Sequence, residues 1–191
     1  KKHTYLNKQL DLPANTTYLH ITTNNTVEGT QWHQYPQTNT LLVGDMSSDI
    51  FCRPTAFNQF DLIYAGAQKN MGAAGVTIVV VKKEILGKVN RKIPAILDYK
   101  KHIEAGSLLN TPPVFSIYVT LLTLRWMEAQ GGLVEMGKRN NAKAQLLYDT
   151  IDSLPAFQCP IAKEDRSIMN AVFFLTDSTR ESAFLDLCKK E

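Results

Sequence analysis

One short turn between two apolar runs constrains the fold of this chain more than any other stretch. The turn is Tyr64-Ala65-Gly66-Ala67-Gln68-Lys69-Asn70. Leu62-Ile63-Tyr64 leads into it, and Val76-Thr77-Ile78-Val79-Val80-Val81 follows it. Both runs are short and rich in β-branched or aromatic residues, with glycine close by, so both are predicted to be strands. Lys69 is therefore predicted to lie in a tight turn between two buried strands.

A lysine in such a turn has chemistry that an ordinary surface lysine lacks. Partial withdrawal from water lowers the proton affinity of an amine and makes it a usable nucleophile. Gly66, Gly72 and Gly75 allow the backbone around Lys69 to bend and to come close to a bound group. The alternative is that Lys69 only caps the turn and points to solvent, and the turn alone does not decide between the two.

An earlier predicted strand also ends beside a group that suits a ligand. Residues 17–22 alternate and are rich in β-forming side chains, and Thr26 follows at the carboxyl end of this strand. Ligands of open α/β sheets bind at the carboxyl ends of the strands. Thr26 either offers its hydroxyl to a ligand or only shapes the turn, and both alternatives stay open.

The next predicted strand, residues 40–45, ends in a carboxylate. Asp45 directly follows an apolar run, where a charged group is costly unless it has a partner. It either caps the turn that follows or pairs with a cationic atom of a ligand. Ser47 and Ser48 in that turn are expected to act as caps.

Two long helices are predicted in the second half of the chain. Asn110-Thr111-Pro112-Pro113 opens the first, with Asn or Thr as the N-cap and proline in the first turn. Residues 114–129 are apolar almost all round, so this helix is expected to be buried or to form an interface. A glycine pair ends it, and the second helix covers residues 134–154. The side chains expected to face inward on the second helix are Leu146, Leu147 and Ile151.

The other segments are assigned from shorter signals. Residues 94–99 are predicted to be extended, and residues 100–110 to be loop-like. A strand over 169–175 and a helix from Ser178, still running at Lys189-Lys190-Glu191, follow the two long helices. This return to a strand indicates a second domain. The fold class is therefore α/β with a mostly parallel sheet over residues 1–153, followed at 154–191 by the start of a smaller α+β C-terminal domain.

Composition excludes several classes of function. The 191 residues carry a formal net charge of +3, with no interleaving of basic and aromatic residues, so no nucleic-acid partner is expected. No apolar run approaches the roughly 20 residues that span a bilayer, so no membrane partner is expected. Cys52, Cys159 and Cys188 are far apart and fit reduced thiols of a cytoplasmic protein, so no metal site is expected. The chain opens on lysine and both ends look cut, which suggests a fragment.

Three motifs carry a resemblance to a known family. Asp45 and Lys69 are spaced as pyridoxal phosphate chemistry requires, because a lysine forms the Schiff base and a carboxylate holds the ring nitrogen protonated. The Lys69 turn, Asp45-Met46-Ser47-Ser48 and Asn110-Thr111-Pro112-Pro113 together closely resemble the phosphoserine aminotransferases. The resemblance runs from about Tyr18 to about Asn170.

The resemblance implies a fold-type I, class-V enzyme that depends on pyridoxal 5'-phosphate. Such an enzyme transfers an amino group between L-glutamate and 3-phosphohydroxypyruvate, giving O-phospho-L-serine and 2-oxoglutarate in serine biosynthesis. It implies a cytoplasmic homodimer with these small-molecule substrates. Residues 1–153 then form part of the cofactor-binding large domain, including its interface helices, and residues 154–191 begin the C-terminal small domain.

The resemblance also implies a role for each matched residue. Lys69 carries the cofactor and moves the proton, and Asp45 pairs with the pyridinium nitrogen. Thr26 and Gln68 hydrogen-bond the cofactor. Asn110-Thr111 reaches across the dimer interface to the cofactor phosphate of the other subunit, a task that suits the N-terminus of a helix.

The resemblance is incomplete, and two alternatives remain. Family members are nearly twice as long, and the segments that hold the cofactor phosphate, stack on its ring and bind the substrate carboxylate have no counterpart here. No arginine can be assigned to the substrate by motif, and the substrate-binding segments are not matched by Arg53, Arg91, Arg125 or Arg166. One alternative is another fold-type I aminotransferase or lyase. The other is an inactive truncated domain.

Overall fold

The computed structural model describes residues 3–190, so Lys1, Lys2 and Glu191, at the outer ends of the two predicted domains, lie outside the described residues. Its strands are, in chain order, β1 (Tyr18–Thr22), β2 (Asn24–Asn25), β3 (Thr30–Gln31), β4 (Leu41–Asp45), β5 (Leu62–Gly66), β6 (Thr77–Val81), β7 (Phe157–Gln158) and β8 (Phe174–Leu175). Its α-helices are α1 (Tyr99–Glu104), α2 (Val114–Ala129), α3 (Gly132–Ser153) and α4 (Glu181–Cys188). None of these helices is both long and apolar enough to cross a membrane.

The central sheet has four strands in the order β1-β4-β5-β6. Strands β1, β4 and β5 are parallel, and β6 runs antiparallel to β5 at the edge. The mostly parallel sheet predicted from the sequence is thus confirmed, and each of its strands begins and ends within two residues of the predicted bounds. Thr22 lies opposite Asp45, and Asp45 lies opposite Tyr64, so the carboxyl ends of the three parallel strands meet at one edge.

The core lies against one face of this sheet. Alternate residues of the parallel strands, including Ile21, Leu42 and Ile63, are buried there because successive side chains of a strand point to opposite faces. Phe60 and Met71 pack in the same cluster. Each such side chain contributes about 1.5–3 kcal/mol through removal of its apolar surface from water, so this cluster fixes the register of the sheet.

The prediction for residues 94–104 was wrong, whereas residues 105–110 are irregular as predicted. A short 3-10 helix over Ala95–Leu97 replaces most of the extended segment, and α1 runs from the last residue of that segment into the predicted loop. Asp98 explains the helix, because its side chain caps α1 by accepting a hydrogen bond of 3.0 Å from the Lys100 backbone amide.

Helix α2 has the predicted bounds but not the predicted cap. It begins after Pro113 with no side-chain cap. The side-chain amide of Asn110 instead donates to the Thr111 carbonyl at 3.1 Å. A cap at Asn110 would need the amide hydrogens two or three residues later, and Pro112 and Pro113 have none.

Helix α3 turns a different set of side chains inward than predicted. Ile151 is buried as expected, but Leu146 and Leu147 are 72% and 43% exposed. Tyr148 is buried in their place and donates a hydrogen bond of 2.9 Å to the Ser167 carbonyl. The face of α3 that is buried is therefore the one that packs on the segment after the helix, around Ser167.

The predicted strand over 169–175 is mostly absent. Only Phe174–Leu175 pairs, with Phe157–Gln158. The preceding residues are irregular because the Ser167 hydroxyl accepts hydrogen bonds from the amides of Met169 and Asn170. The helix predicted from Ser178 starts as a 3-10 turn and ends at Cys188, before Lys189-Lys190.

Arg166 and Asp152 form a two-point ion pair that gives a testable pH dependence. Two guanidinium nitrogens of Arg166 donate to the carboxylate of Asp152 at 2.8 and 2.9 Å, and this holds the pKa of Asp152 below its ordinary value of 3.8. A lowered folded-state pKa gives stability that is present above the unfolded pKa and lost as pH falls through the folded value. We expect Asp152→Asn to lower Tm by about 1–2 °C at pH 7 and the difference to disappear below pH 3.8.

Thermal unfolding of the full-length protein between pH 3 and 7 measures this effect. Asp149→Asn is the matched control, because Asp149 lies on the same helix and bonds only to Gln145 among the contacts seen in residues 3–190. A difference in Tm that stays constant down to the acid limit would contradict the assigned ion pair.

Candidate active site

The turn after β5 holds Lys69 on a rigid base. Ala67 and Met71 are fully buried, and the amides of Met71 and Gly72 both donate to the Ala67 carbonyl at 2.9 Å. Gln68 and Lys69 occupy the outer side of this turn and are exposed. The expected withdrawal of Lys69 from water is therefore not seen among residues 3–190. The strand after the turn is also less buried than predicted, because β6 is an edge strand and none of its residues is fully buried.

Helix α2 fixes the far side of the same turn. The Ser116 hydroxyl donates to the Ala74 carbonyl at 2.7 Å. A Cβ atom on Gly72 would lie 2.8 Å from the Thr120 hydroxyl and 3.0 Å from its backbone. Gly75 has a φ of +110°. Both glycines thus allow the turn to approach helix α2, at Thr120 and at Ser116.

The Lys69 amine contacts Thr26, as the sequence predicted for a shared site. Its Nζ atom donates to Thr26 Oγ1 at 3.0 Å, although the residues are 43 positions apart. Thr26 does not follow β1 directly. It lies in the turn of the β2–β3 hairpin, which folds over the carboxyl end of the sheet. Thr26 therefore both shapes a turn and reaches the lysine.

Asp45 lies at the same edge of the sheet, half-buried at the end of β4. One of its carboxylate oxygens accepts from the Ser47 amide at 2.8 Å, so the capping alternative describes part of its role. Burial and then the Asp45 charge raise the pKa of Tyr64, whose hydroxyl lies 3.0 Å from His20 Nε2. The Asp45 carboxyl group thus lies among polar side chains at the ligand edge.

Ser47 and Ser48 do not act as the predicted caps. Ser47 Oγ accepts from the Gly66 amide at 3.1 Å, and Ser48 Oγ donates to the Asn24 carbonyl at 2.7 Å. Each serine therefore ties the turn after β4 to a neighbouring segment. These bonds hold Asp45 in a fixed position relative to the turn of Lys69.

The side chains of the remaining predicted site residues do not hydrogen-bond to the Lys69 amine in the described part of the chain. Gln68 folds back over Gly66, where an added Cβ atom would lie 2.6 Å from Gln68 Oε1. Asn110 and Thr111 are exposed in the loop before α2, and neither contacts Lys69 in the part of the chain that the structure describes. The structure thus brings Thr26 to Lys69 and places Asp45 at the same edge, while the site roles of all six residues stay predictions.

A buried polar network that the sequence analysis missed supports the Thr26 hairpin. Asn24 is 1% exposed, and its amide nitrogen donates to Ser48 Oγ at 2.9 Å and to Asn170 Oδ1 at 3.0 Å. The hydroxyl of Ser167, also 1% exposed, donates to Asn24 Oδ1. No motif signals these partners, because they are up to 146 residues apart.

A second missed group is the buried carboxyl of Asp49. It accepts hydrogen bonds from the Thr23 hydroxyl and, at 3.1 Å, from the Gln31 amide. Burial raises the pKa of Asp49, and burial likewise raises the pKa of the neighbouring Cys52 thiol to about 12. Cys52 is therefore a structural residue rather than a nucleophile. No cluster of three or more metal-ligating side chains occurs within residues 3–190.

The arrangement combines an amine, a hydroxyl and a carboxylate at one sheet edge. Such a set can hold an aldehyde covalently through the amine and a cationic ring atom through the carboxylate. No metal-ligating cluster occurs among the described residues, and the pKa of the nearby Cys52 thiol is raised to about 12 by burial. The chemistry available at this edge is thus that of a lysine amine beside an acid.

Comparison with known proteins defines the class. Residues 4–188 match the model of the aminotransferase class-V family, and the chain belongs to that family. It is 54% identical over 187 residues to the phosphoserine aminotransferase of Flavobacterium johnsoniae, covering 98% of this chain and 52% of that protein. The chain thus spans about half the length of the curated relatives it matches.

Solved structures agree with this relationship. The phosphoserine aminotransferase of Bacillus circulans subsp. alkalophilus superposes with a TM-score of 0.90 at 40% identity, over 95% of this chain and 51% of that one. The pyridoxal phosphate-bound phosphoserine aminotransferase of Trichomonas vaginalis gives a TM-score of 0.88 at 34% identity, over 94% and 52%. The fold of this chain is therefore that of half a phosphoserine aminotransferase, and the resemblance found in the sequence is confirmed.

Proposed function

We propose that the full-length protein is a pyridoxal phosphate-dependent phosphoserine aminotransferase. It transfers an amino group between L-glutamate and 3-phosphohydroxypyruvate, giving O-phospho-L-serine and 2-oxoglutarate in serine biosynthesis. The observation that carries the proposal is the 3.0 Å contact between Lys69 and Thr26 at the sheet edge where Asp45 ends β4. The sequence identity of 54% with the phosphoserine aminotransferase of Flavobacterium johnsoniae supports the choice of substrates.

The residues present fit pyridoxal phosphate. The Lys69 amine is exposed, and its described contact is the neutral Thr26 hydroxyl, so no carboxylate holds the amine in an ion pair and an aldehyde can reach it. Asp45 supplies a negative charge for a protonated ring nitrogen. When bound, the cofactor provides an electron sink for the bond broken at the substrate Cα atom.

Each site residue has one proposed task. Lys69 holds the cofactor covalently and, once released, moves a proton at the substrate Cα atom through its Nζ atom. Asp45 keeps the ring nitrogen protonated, while its bond to the Ser47 amide fixes the direction of the carboxylate. Thr26 and Gln68 hydrogen-bond the cofactor and orient it over the turn.

Asn110 and Thr111 are proposed to serve the other subunit of a homodimer. The first amides of α2 have no side-chain cap, and free amides at a helix N-terminus favour an anion such as a phosphate. Helix α2 also exposes large apolar side chains, an unusual surface for a helix of a monomer. These side chains include Phe115, Tyr118, Leu122 and Trp126.

A charge on this face is expected to break the dimer. Phe115 is 74% exposed, and Phe115→Glu should weaken dimerisation by at least about tenfold, because a carboxylate buried at an interface has no partner there. Leu146→Glu on α3 is the matched control, since Leu146 is 72% exposed. Sedimentation velocity of the full-length protein measures both. An unchanged dimer with Phe115→Glu, or equal loss with Leu146→Glu, would reject α2 as the interface.

The domain division and the location in the cell also belong to this proposal. Residues 1–153 form part of the cofactor-binding domain, and residues 154–191 begin the small domain. Support comes from α3 ending at Ser153, just before the short strand Phe157–Gln158. A cytoplasmic location fits the reduced cysteines Cys52, Cys159 and Cys188, which are all free in the structure.

The direct test is an assay of amino transfer. The full-length protein is incubated with O-phospho-L-serine, 2-oxoglutarate and pyridoxal phosphate, and L-glutamate formation is measured. We expect turnover with phosphoserine and at least about a hundredfold lower kcat/KM with alanine, because a site built for a charged group loses its pairing with an analogue that lacks the group. Turnover with alanine but not phosphoserine would establish a different aminotransferase, and no transfer with any amino acid would reject the proposal.

A further inference from the structure

The hairpin turn that carries Thr26 is held from one side by a single segment. We call residues 167–172 the brace segment. At one end of the turn, the side-chain amide of Asn170 donates to the Thr26 backbone carbonyl at 2.9 Å. At the other end, the Ser167 amide donates to the Gly29 carbonyl at 3.0 Å. The turn therefore cannot move without breaking bonds to the brace segment.

Packing at Gly29 makes this attachment close. Gly29 has a φ of +76°, and a Cβ atom on it would lie 2.8 Å from Val172 Cγ2. Only glycine permits the brace segment to lie so near the turn in this backbone conformation. The contact is thus a built feature of the hairpin rather than a chance approach of two loops.

Buried groups in turn hold the brace segment in place. Asn170 Oδ1 accepts from Asn24 Nδ2 at 3.0 Å, and the Ser167 carbonyl accepts from the Tyr148 hydroxyl at 2.9 Å. Asn24, Ser167 and Tyr148 are all buried, so each of these bonds is costly to break. The support therefore runs from α3 through the brace segment to the turn.

We propose that Asn170 is a positioning residue for Lys69, acting through Thr26. The chain of contacts is Asn170 Nδ2 to the Thr26 carbonyl at 2.9 Å and Lys69 Nζ to the Thr26 hydroxyl at 3.0 Å. The Thr26 hydroxyl can hold the amine in one place only while its own backbone is fixed. This inference rests on the proposed function for its purpose, but the contacts do not depend on the cofactor.

The first test measures how fast Lys69 captures pyridoxal phosphate in the cofactor-free full-length protein. The amine condenses with the aldehyde carbon and water is released, which produces a visible absorbance band. We expect Asn170→Ala to slow capture about five- to tenfold, the loss that corresponds to one hydrogen bond. Asn170→Asp keeps the acceptor for Asn24 but cannot donate to Thr26, so it should slow capture similarly even where the alanine variant folds poorly.

A matched control separates positioning from stability. The Asn140 side-chain amide donates to the Cys52 carbonyl at 2.9 Å, the same kind of bond at the same length as that of Asn170 to Thr26, and its described hydrogen bond reaches neither Thr26 nor Lys69. Asn140→Ala should lower Tm, and Asn170→Ala should lower Tm further, because the Asn170 side chain also accepts a hydrogen bond from the buried Asn24. Only the second should slow capture, and equal slowing in both would overturn the inference.

A double-mutant cycle tests whether Asn170 acts through Thr26. Thr26→Val removes the hydroxyl with little change in shape and should also slow capture about five- to tenfold. Once the hydroxyl is gone, Asn170→Ala should add less than about twofold, because the two changes remove the same effect. Fully multiplied losses would show independent roles and overturn the inference.

A second readout uses no cofactor. Formaldehyde with cyanoborohydride methylates amines, and peptide mapping gives the ratio of Lys69 to the exposed Lys88. Formaldehyde is not held in one orientation, so it gains nothing from a positioned amine and meets only the hydrogen bond to Thr26. We therefore expect this ratio to rise about two- to threefold in Asn170→Ala and Thr26→Val, which weaken or remove that bond, and to stay unchanged in Asn140→Ala. Wild-type protein that captures no pyridoxal phosphate would reject the proposed function alone. An unchanged ratio in Asn170→Ala would reject the positioning role alone.

Discussion

Replacement of Lys69 by alanine is expected to reduce amino transfer by about a thousandfold or more. The lysine has two proposed tasks, covalent attachment of the cofactor and proton movement at the substrate Cα atom, and positioned proton transfer alone contributes about 10²–10⁴ in rate. The variant should fold normally, because Lys69 is exposed and its described contact is a single hydrogen bond to Thr26. Steady-state turnover with phosphoserine and 2-oxoglutarate measures the loss.

Lys82→Ala provides the control for this result. Lys82 follows the other strand of the same hairpin and is also exposed, where it pairs with Asp61 at 3.0 Å. An exposed ion pair contributes little to stability, so the variant should keep wild-type turnover and nearly wild-type Tm. Turnover of Lys69→Ala within tenfold of wild type would contradict the assignment of the lysine.

The second large effect is expected at Asp45. Asp45→Ala should cut turnover by about 10²–10³, while covalent attachment at Lys69 survives, because the carboxylate acts on the ring nitrogen and not on the amine. Attachment is measured by the visible absorbance of the protein with pyridoxal phosphate. Turnover is measured as before.

A conservative variant separates the two roles of Asp45. Asp45→Asn keeps an oxygen that can accept the bond of 2.8 Å from the Ser47 amide, but it removes the negative charge. If the charge matters, the asparagine variant should lose nearly as much turnover as the alanine variant. Recovery to near wild-type turnover in Asp45→Asn would show that Asp45 acts only as the cap of its turn.

The sheet and the lysine turn could be predicted from the sequence because local signals set both. Strands β1, β4, β5 and β6 are short apolar runs rich in β-branched residues, and the runs before and after the Lys69 turn identified its hairpin. The location of Thr26, Asp45 and Lys69 at one edge followed from the rule that ligand groups gather at the carboxyl ends of the strands, whereas the hydrogen bond between Thr26 and Lys69 was not predicted. These features require no knowledge of distant contacts.

The predictions that were wrong concern features that distant contacts determine. Residues 169–175 were predicted as a strand, but the Ser167 hydroxyl accepts from the amides of Met169 and Asn170 and holds this backbone in another shape. The partners of the brace segment lie in the β2–β3 hairpin and in α3. Leu146 and Leu147 were assigned to the core because they are apolar, whereas the face of α3 is set by Tyr148. The shape of that segment and the buried face of α3 both depend on tertiary contacts, which override local propensity.

The central claim is that Lys69 binds pyridoxal phosphate covalently. The most direct measurement is borohydride reduction of the full-length protein with its cofactor, followed by peptide mapping of the stable adduct. We predict that the visible absorbance band disappears on reduction and that the adduct is found on Lys69. An adduct on another lysine, or a full-length protein with no reducible band, would contradict the account.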